Sequence, residues 1–325
     1  MKGKFDLISI GDTTLDVFLE IDEANVQCDV NKENCKLCIS YADKVPVKKV
    51  TKILGVGNSA NLAVGASRLG LKTAVYTILG NDNTGKEIYQ RFKREGVSQD
   101  YIQFDKKRGT NYSVVLNFKG ERTILVFHEH RKYVLPKFKS TNWIYFTSLA
   151  AGHEKLHKPL ASFVKKNKVK LGFNPGTFQL KEGLKVMRPI VKNCSVFIVN
   201  KEEAQRLVGK FNDVKKLLRL LKKEGPEIVV ITDGPKGSYT FDGKDFYFQD
   251  IFDVPVIERT GCGDSYSTGF ISALAYGKGI PEAMRWGTVN AAFVIQKIGA
   301  HEGLIKKNKL SKILKANPKF KTKKM

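Results

Sequence analysis

Short apolar runs rich in Val, Ile and Phe alternate with helical patterns along most of this 325-residue chain, and that alternation constrains its fold more than any other feature. Phe5 to Ile10, Thr73 to Leu79, Trp143 to Thr147, Val169 to Phe173, Ser195 to Val199 and Glu227 to Thr232 read as strands. Between them, Asn58 to Leu69, Thr84 to Glu95, Glu154 to Lys166 and Glu202 to Val208 carry helical spacing. Strands separated by helices build a mainly parallel sheet covered on both faces, a three-layer α/β sandwich. Ligands of such sheets gather at the carboxyl ends of the strands, where the Gly-rich and polar segments of this chain fall.

Two segments break the alternation. Tyr112 to Phe118 and Thr123 to Phe127 flank a Lys119-Gly120-Glu121 turn and read as a β-hairpin, while Val17 to Val50 holds short strand-like pieces and no good helix. Together they are expected to form a small β lid (17–50 and 105–131) standing off a main domain (1–16, 51–104 and 132–305). A basic tail (306–325) follows. Cys28, Cys35 and Cys38 lie in the first lid segment, and Cys35-x-x-Cys38 has the spacing of a zinc knuckle. A structural Zn²⁺ would take its fourth ligand from His128 or His130 in the hairpin; the alternative is buried thiols.

No apolar run approaches 18 residues, and the first residues lack the apolar centre of a signal peptide, so no membrane partner and a cytoplasmic location are expected. Five cysteines in a chain this long agree with a reducing compartment. The net charge of +24 is scattered, with its densest run from Lys306 to Lys324. That pattern reads as a solvated face plus a basic tail that attracts anionic substrates, and it leaves weak non-specific nucleic-acid binding open.

Chemistry concentrates in Thr260-Gly261-Cys262-Gly263-Asp264, where a loop runs into a helix expected from Ser265 to Gly277. Small residues there let backbone amides approach an anion, and the helix start adds unpaired N–H donors. Asp264 suits either of two tasks, capping the helix or accepting a proton from an attacking hydroxyl. Gly80 to Glu87 nearly fits a P-loop, but Glu87 stands where Ser or Thr must hold Mg²⁺. Gly55-Val-Gly57-Asn-Ser-Ala60, with Asp82 further on, matches the dinucleotide pattern and offers an NAD-dependent enzyme as the rival reading. Thr232-Asp-Gly234-Pro-Lys-Gly237 follows one strand as a glycine turn or nucleotide contact. Asn200-Lys-Glu-Glu203 follows another, as an N-cap with Glu at the third helical position or as oxygen ligands reaching Mg²⁺ through water.

Taken in order, Gly11-Asp12 with Asp16, Gly57-Asn58-x-x-Asn61, Gly80-x-Asp82-x-x-Gly85 with Gly96-Val97, Asn200-x-x-Glu203, Thr232-x-Gly234-x-x-Gly237 and Thr260 to Asp264 resemble the ribokinase (PfkB) family. The resemblance runs from residue 5 to about 304 and absorbs both the P-loop-like and the dinucleotide-like stretches. It implies an ATP- and Mg²⁺-dependent kinase that phosphorylates a primary hydroxyl of a sugar, with a nucleoside as the alternative acceptor. By the same resemblance Asp264 is the base, and the amides of Gly261, Cys262 and Gly263 form the anion hole. Asp12, Asp16, Gly57, Asn58 and Asn61 hold the acceptor. Thr232, Gly234 and Gly237 line the nucleotide site, Asn290 lies near the base, and Asn200 and Glu203 organise Mg²⁺. The lids of the family also pair some members into homodimers.

Three residues depart from the family pattern. Glu258 and Arg259 replace Asp-Thr at a monovalent-cation site, which puts K⁺ activation in doubt and leaves Arg259 to meet a nucleotide phosphate. Cys262 replaces Ala, and a thiol at a helix start is expected to titrate low and to react with oxidants or alkylating agents. In the lid, His128, His130 or Arg131 is expected to reach over the acceptor and set its identity.

Overall fold

The computed structural model describes residues 5–29 and 35–325. Its first strands are β1 (Phe5–Ile10), β2 (Thr14–Ile21), β3 (Asn25–Cys28), β4 (Cys35–Cys38), β5 (Val47–Val56), β6 (Thr73–Gly80), β7 (Ser98–Asp105) and β8 (Asn111–Phe118). The others are β9 (Glu121–Phe127), β10 (Thr141–Phe146), β11 (Lys170–Phe173), β12 (Val196–Asn200), β13 (Ile228–Thr232), β14 (Ser238–Phe241), β15 (Phe246–Gln249) and β16 (Lys323–Lys324). The helices are α1 (Asn58–Arg68), α2 (Asn83–Arg94), α3 (Glu154–Asn167), α4 (Thr177–Glu182), α5 (Leu184–Val191), α6 (Lys201–Val208), α7 (Val214–Lys223), α8 (Cys262–Ala275), α9 (Ile280–Val294) and α10 (Lys307–Ala316).

Among the described residues, ten strands form the main sheet in the order β16-β15-β14-β13-β12-β11-β10-β1-β6-β7. The seven from β13 to β7 run parallel, and β14 to β16 add an antiparallel edge. Alternate side chains of the parallel strands face opposite layers, as the two-residue period demands. Ile8, Ile10, Ile144 and Phe146 pack with residues of α3, α5 and α7. Leu7, Tyr145, Val196 and Ile198 pack with α1, α8, α9 and α10. Both faces are covered, as the apolar character of the strands requires.

A second sheet, ordered β5-β2-β8-β9, realises the expected lid. Its own core is small: Phe18, Ile53, Val56 and Val115. The hairpin β8–β9 turns on Lys119 and Gly120, both with positive φ, and pairs Phe118 with Glu121. That two-residue geometry matches the right-handed twist of the strands. The small sheet begins earlier and ends later than the pattern breaks in the sequence suggest, because β2 starts at Thr14 and β5 runs on to Val56. The last twenty residues are not a loose tail. Leu310 and Leu314 of α10 are buried, and β16 closes the edge of the main sheet.

The zinc expectation is overturned. Cys28 and Cys35 face each other in the β3–β4 ladder and are joined by a disulfide, so neither sulfur is a thiolate ligand. His128 is committed elsewhere, as described below. Cys38, Cys194 and Cys262 are free thiols. No helix of the described residues is long and apolar enough to cross a membrane.

Candidate active site

The carboxyl ends of β1, β10, β11, β12 and β13 deliver Gly11-Asp12, Thr147, Asn174, Asn200 and Thr232 to one edge of the parallel sheet. Parallel register aligns them: Ile10 pairs with Phe146, Phe146 with Phe173, and Asn200 with Thr232. The amino ends of α1 and α8 meet this edge.

The helix of the glycine loop begins three residues earlier than its apolar pattern suggests. Gly261, with φ of 75°, is its N-cap, and Cys262 and Gly263 fill the first two helical positions. Asp264 is therefore a first-turn residue and not the cap. Gly261 is obligatory on two counts, since a Cβ there would both meet an unfavourable φ and lie 2.4 Å from the Ala300 Cβ. Gly263 is exposed and a Cβ there would meet nothing within 4 Å, whereas the Cys262 amide donates to the Arg259 carbonyl at 3.2 Å. The space at Gly263 is where an anion would sit.

Asp264 is half-buried. Its Oδ2 accepts a hydrogen bond from Asn61 Nδ2 at 2.7 Å. Burial pushes its pKa up to about 6, with the Asn61 bond pulling the other way. Asn61 itself is 5% exposed and leaves Oδ1 without a partner. It hangs from the first turn of α1, where its amide bonds to the Gly57 carbonyl. Gly57 has φ of 107°, and a Cβ there would press to 2.9 Å on the Asp12 carbonyl oxygen.

Asp12 and Asp16 differ sharply in satisfaction. The Asp12 carboxylate accepts from the Ala150 amide at 2.9 Å, from the Tyr133 hydroxyl at 2.9 and 3.0 Å, and pairs with His128 Nδ1 at 3.0 Å. Asp16 is also buried, but its Oδ1 has no partner. Burial raises its pKa to about 6, against the pull of a Ser113 hydrogen bond. An orphaned carboxylate oxygen in an otherwise bonded site is a place for a ligand hydroxyl. Asn58 is half-buried, with its Nδ2 3.5 Å from Asn174 Oδ1.

His128, one of the three candidates on the small sheet, thus reaches the Asp12 carboxylate. Arg131 does not, because its side chain is buried, pairs with Asp105 at 3.0 Å and donates to the Gly109 carbonyl. His130 is exposed at the surface.

On the other side of Asp264, Asn200 and Glu203 form a reciprocal capping box on α6: Asn200 Oδ1 accepts from the Glu203 amide and Glu203 Oε2 from the Asn200 amide, both at 2.8 Å. Burial raises the Glu203 pKa. Both side chains are engaged in this way, so a hard cation would meet them through water. Gly234 has open space around it, whereas a Cβ on Gly237 would strike the Gln249 carbonyl, so Gly237 serves packing of β14. Asn290 of α9 is wholly buried and donates to the Ser265 carbonyl of α8 at 2.8 Å, with its Oδ1 left without a partner.

The departures inside the loop are tied to the lid. Glu258 is buried, and its Oε1 accepts from the Thr260 amide at 2.7 Å and from the Thr260 hydroxyl. Its Oε2 accepts from the Gly299 amide at 3.2 Å, and Arg122 of β9 stands 3.5 Å from Oε1. Arg259 is 60% exposed and 4.0 Å from Glu121. The low-titrating Cys262 thiol is also corrected: burial raises its pKa and outweighs the nearby arginines.

Sequence reasoning missed Tyr133, Arg122 and Asn174, which lie in stretches with no motif and meet Asp12, Glu258 and Asn58 across more than a hundred residues. It named Asp82 only as part of a motif. That residue caps α2 and clamps Thr110, accepting from Gly85 N, Thr110 N and Thr110 Oγ1. The dinucleotide reading of Gly55 to Ala60 fails on context, because the strand before the turn, β5, pairs antiparallel with β2 in the small mixed sheet and not in the main parallel one.

A family model for pfkB family carbohydrate kinases matches residues 18–307. An uncharacterized sugar kinase of Archaeoglobus fulgidus is 30% identical over 259 residues, covering 74% of this chain and 98% of that protein. Among solved structures, Arabidopsis thaliana ribokinase complexed with ribose and ATP matches with a TM-score of 0.81 at 21% identity, over 97% of this chain and 99% of that one. The Methanocaldococcus jannaschii nucleoside kinase matches with a TM-score of 0.79 at 20% identity, over the same shares.

Proposed function

The chain belongs to the pfkB family of carbohydrate kinases, phosphotransferases with an alcohol as acceptor, and on that premise we propose that it transfers the γ-phosphoryl group of ATP to a primary hydroxyl of a sugar. The observation that carries this reading is Asp264, held by Asn61 in the first turn of α8 beside the exposed Gly263. A carboxylate with a pKa near 6 is ionised at neutral pH and still basic enough to take the hydroxyl proton as the oxygen attacks. The Gly263 amide at the start of α8 then meets the charge that develops on the transferring group, while the Cys262 amide is held by the Arg259 carbonyl at 3.2 Å. Asp16 Oδ1 and Asn61 Oδ1, both lacking partners, accept hydrogen bonds from acceptor hydroxyls. Asp12, already bonded on both oxygens, orients that end through His128.

The nucleotide lies along Asn200, Thr232 and Gly234, with Arg259 near its phosphates. The donor set near Glu203 fits a water-bridged Mg²⁺, which when bound neutralises phosphate oxygens. No monovalent cation is needed in this reading, because the Arg122 guanidinium already stands against Glu258, the carboxylate that shapes the loop. The orphaned carboxyl and amide oxygens select a polyol. A nucleoside acceptor meets the same hydroxyl contacts, so both belong in the test.

The test is ADP release across pentoses, hexoses, sugar phosphates and nucleosides, with and without K⁺, on the wild type and on Asp264→Asn. Asp264→Asn is expected to lower turnover about 10²-fold or more while ATP binding persists. Unchanged turnover in that variant would sink the reading.

A further inference from the structure

Away from the cleft, a buried imidazole chain ends on an exposed pair of carboxylates. His157 Nδ1 lies 3.0 Å from the Val186 carbonyl, and His157 Nε2 lies 3.1 Å from His153 Nδ1. A carbonyl only accepts, so the proton of His157 sits on Nδ1 and its Nε2 offers a lone pair. That lone pair takes the Nδ1 proton of His153. The remaining His153 nitrogen, Nε2, is then a bare lone pair in the neutral ring, and burial holds both rings toward that neutral form.

His153 is 0% exposed, and its Nε2 has no hydrogen-bond partner. It points instead at Glu182 Oε2, 3.2 Å away but not aligned as a hydrogen bond. Two lone pairs at that separation repel unless a cation lies between them. Ligands at about 2.1 Å on a metal, subtending roughly 100°, stand about 3.2 Å apart. Glu154 completes the set: its carboxylate, the Glu182 carboxylate and His153 Nε2 all lie within 4.8 Å of one another. Both glutamates are exposed, so their rotamers adjust to an ion. Two carboxylates also balance a divalent charge and outweigh the unfavourable amino end of α3.

We propose that His153, Glu154 and Glu182 form a site for a borderline divalent cation of the zinc type, separate from the phosphoryl-transfer centre. The nitrogen ligand argues against Mg²⁺ and Ca²⁺, which take oxygen. The ion ties the start of α3 to the end of α4. Phe178 of α4 packs its ring against His128, which in turn meets Asp12, so the metal braces the acceptor side.

The experiment uses the full chain, stripped by chelator and dialysed, titrated with Zn²⁺, Co²⁺ and Mg²⁺ by calorimetry and thermal shift. One equivalent of Zn²⁺ is expected to bind and raise Tm, Co²⁺ to bind with a visible absorption band, and Mg²⁺ to do neither. The variant Glu154→Gln/Glu182→Gln changes only exposed side chains and is expected to weaken zinc binding at least about 10-fold. His153→Gln should match it. Zinc binding unchanged in the double variant would place the ion elsewhere, on Cys38 or Cys262, and overturn the site. No stabilisation of the wild type would overturn it too, leaving a proton between His153 and Glu182.

Discussion

Asp264 combines two energetic consequences in one carboxyl group. In the role of base proposed for it, its raised pKa is expected to place the acid limb of the kcat profile near pH 6, with activity rising through that value as it ionises. Asn61→Ala removes the hydrogen bond that favours the charged form, so the limb should move to higher pH; a limb that stays in place would separate Asn61 from the base. The same shift bears on stability. Because the folded pKa lies above the unfolded value of 3.8, the native state holds this proton more tightly, and the contribution is full below about pH 4 and lost as pH rises through about 6. Asp264→Asn should therefore melt about 2–5 °C above wild type at pH 7.5, with the gap closing toward pH 4. Equal melting at both pH values would contradict the burial argument. The aspartate itself was legible in the sequence, since Gly-x-Gly-Asp at a loop-helix junction states its backbone chemistry locally. Its place in the helix was not, because the start depends on Gly261 packing against Ala300, a contact absent from any local pattern.

At the scale of elements, the hairpin of the small sheet is coupled to the glycine loop through the Arg122–Glu258 ion pair, with the exposed Arg259–Glu121 pair beside it. Glu258 holds Thr260 and Gly299, and Arg122 comes to it from β9. Losing Arg122 leaves a buried carboxylate short of its charge partner, beside amides that must be aimed at a phosphoryl group. Arg122→Ala should lower kcat about 10- to 100-fold with a smaller change in the KM for ATP, and Arg122→Lys should recover part of the loss. An equal rise in KM with kcat intact would make Arg122 a binding residue and not a positioning one. The strands and helices on which this coupling hangs were largely readable, because period-2 and period-3.6 patterns are written into consecutive residues. The edges of the lid were not: β2 starts at Thr14, with only Thr13 between it and Asp12 and no turn signal to separate main sheet from lid. The Asn290 contact with Ser265 was hidden for a related reason, since which way an Asn on a helix points is decided by how α8 and α9 pack.

Across the whole molecule, the doubly covered sheet satisfies its apolar surface, but the small sheet does not. It ends on β9, an edge strand with unpaired backbone groups, and Ile124, Leu125, Val126 and Phe127 are each 42–59% exposed in succession. A run of four half-exposed apolar residues on an open edge is a liability unless something covers it. Most of the +24 charge would repel a second copy, yet β9 itself carries only Glu121 and Arg122, and Arg122 is paired with Glu258. The apolar part of the strand therefore meets no charge of its own when two copies approach edge to edge, and strand pairing would satisfy the open amides and carbonyls together with the side chains. The expected outcome is a dimer in light scattering at micromolar concentration, with Leu125→Lys/Phe127→Lys converting it to a monomer of unchanged fold. Those substitutions leave Arg122 and His128 in place, so a monomer that keeps turnover would assign the pairing to solubility, and one that loses it would show that the partner steadies the lid. A wild-type chain that remains monomeric at every concentration would mean that β9 stays uncovered.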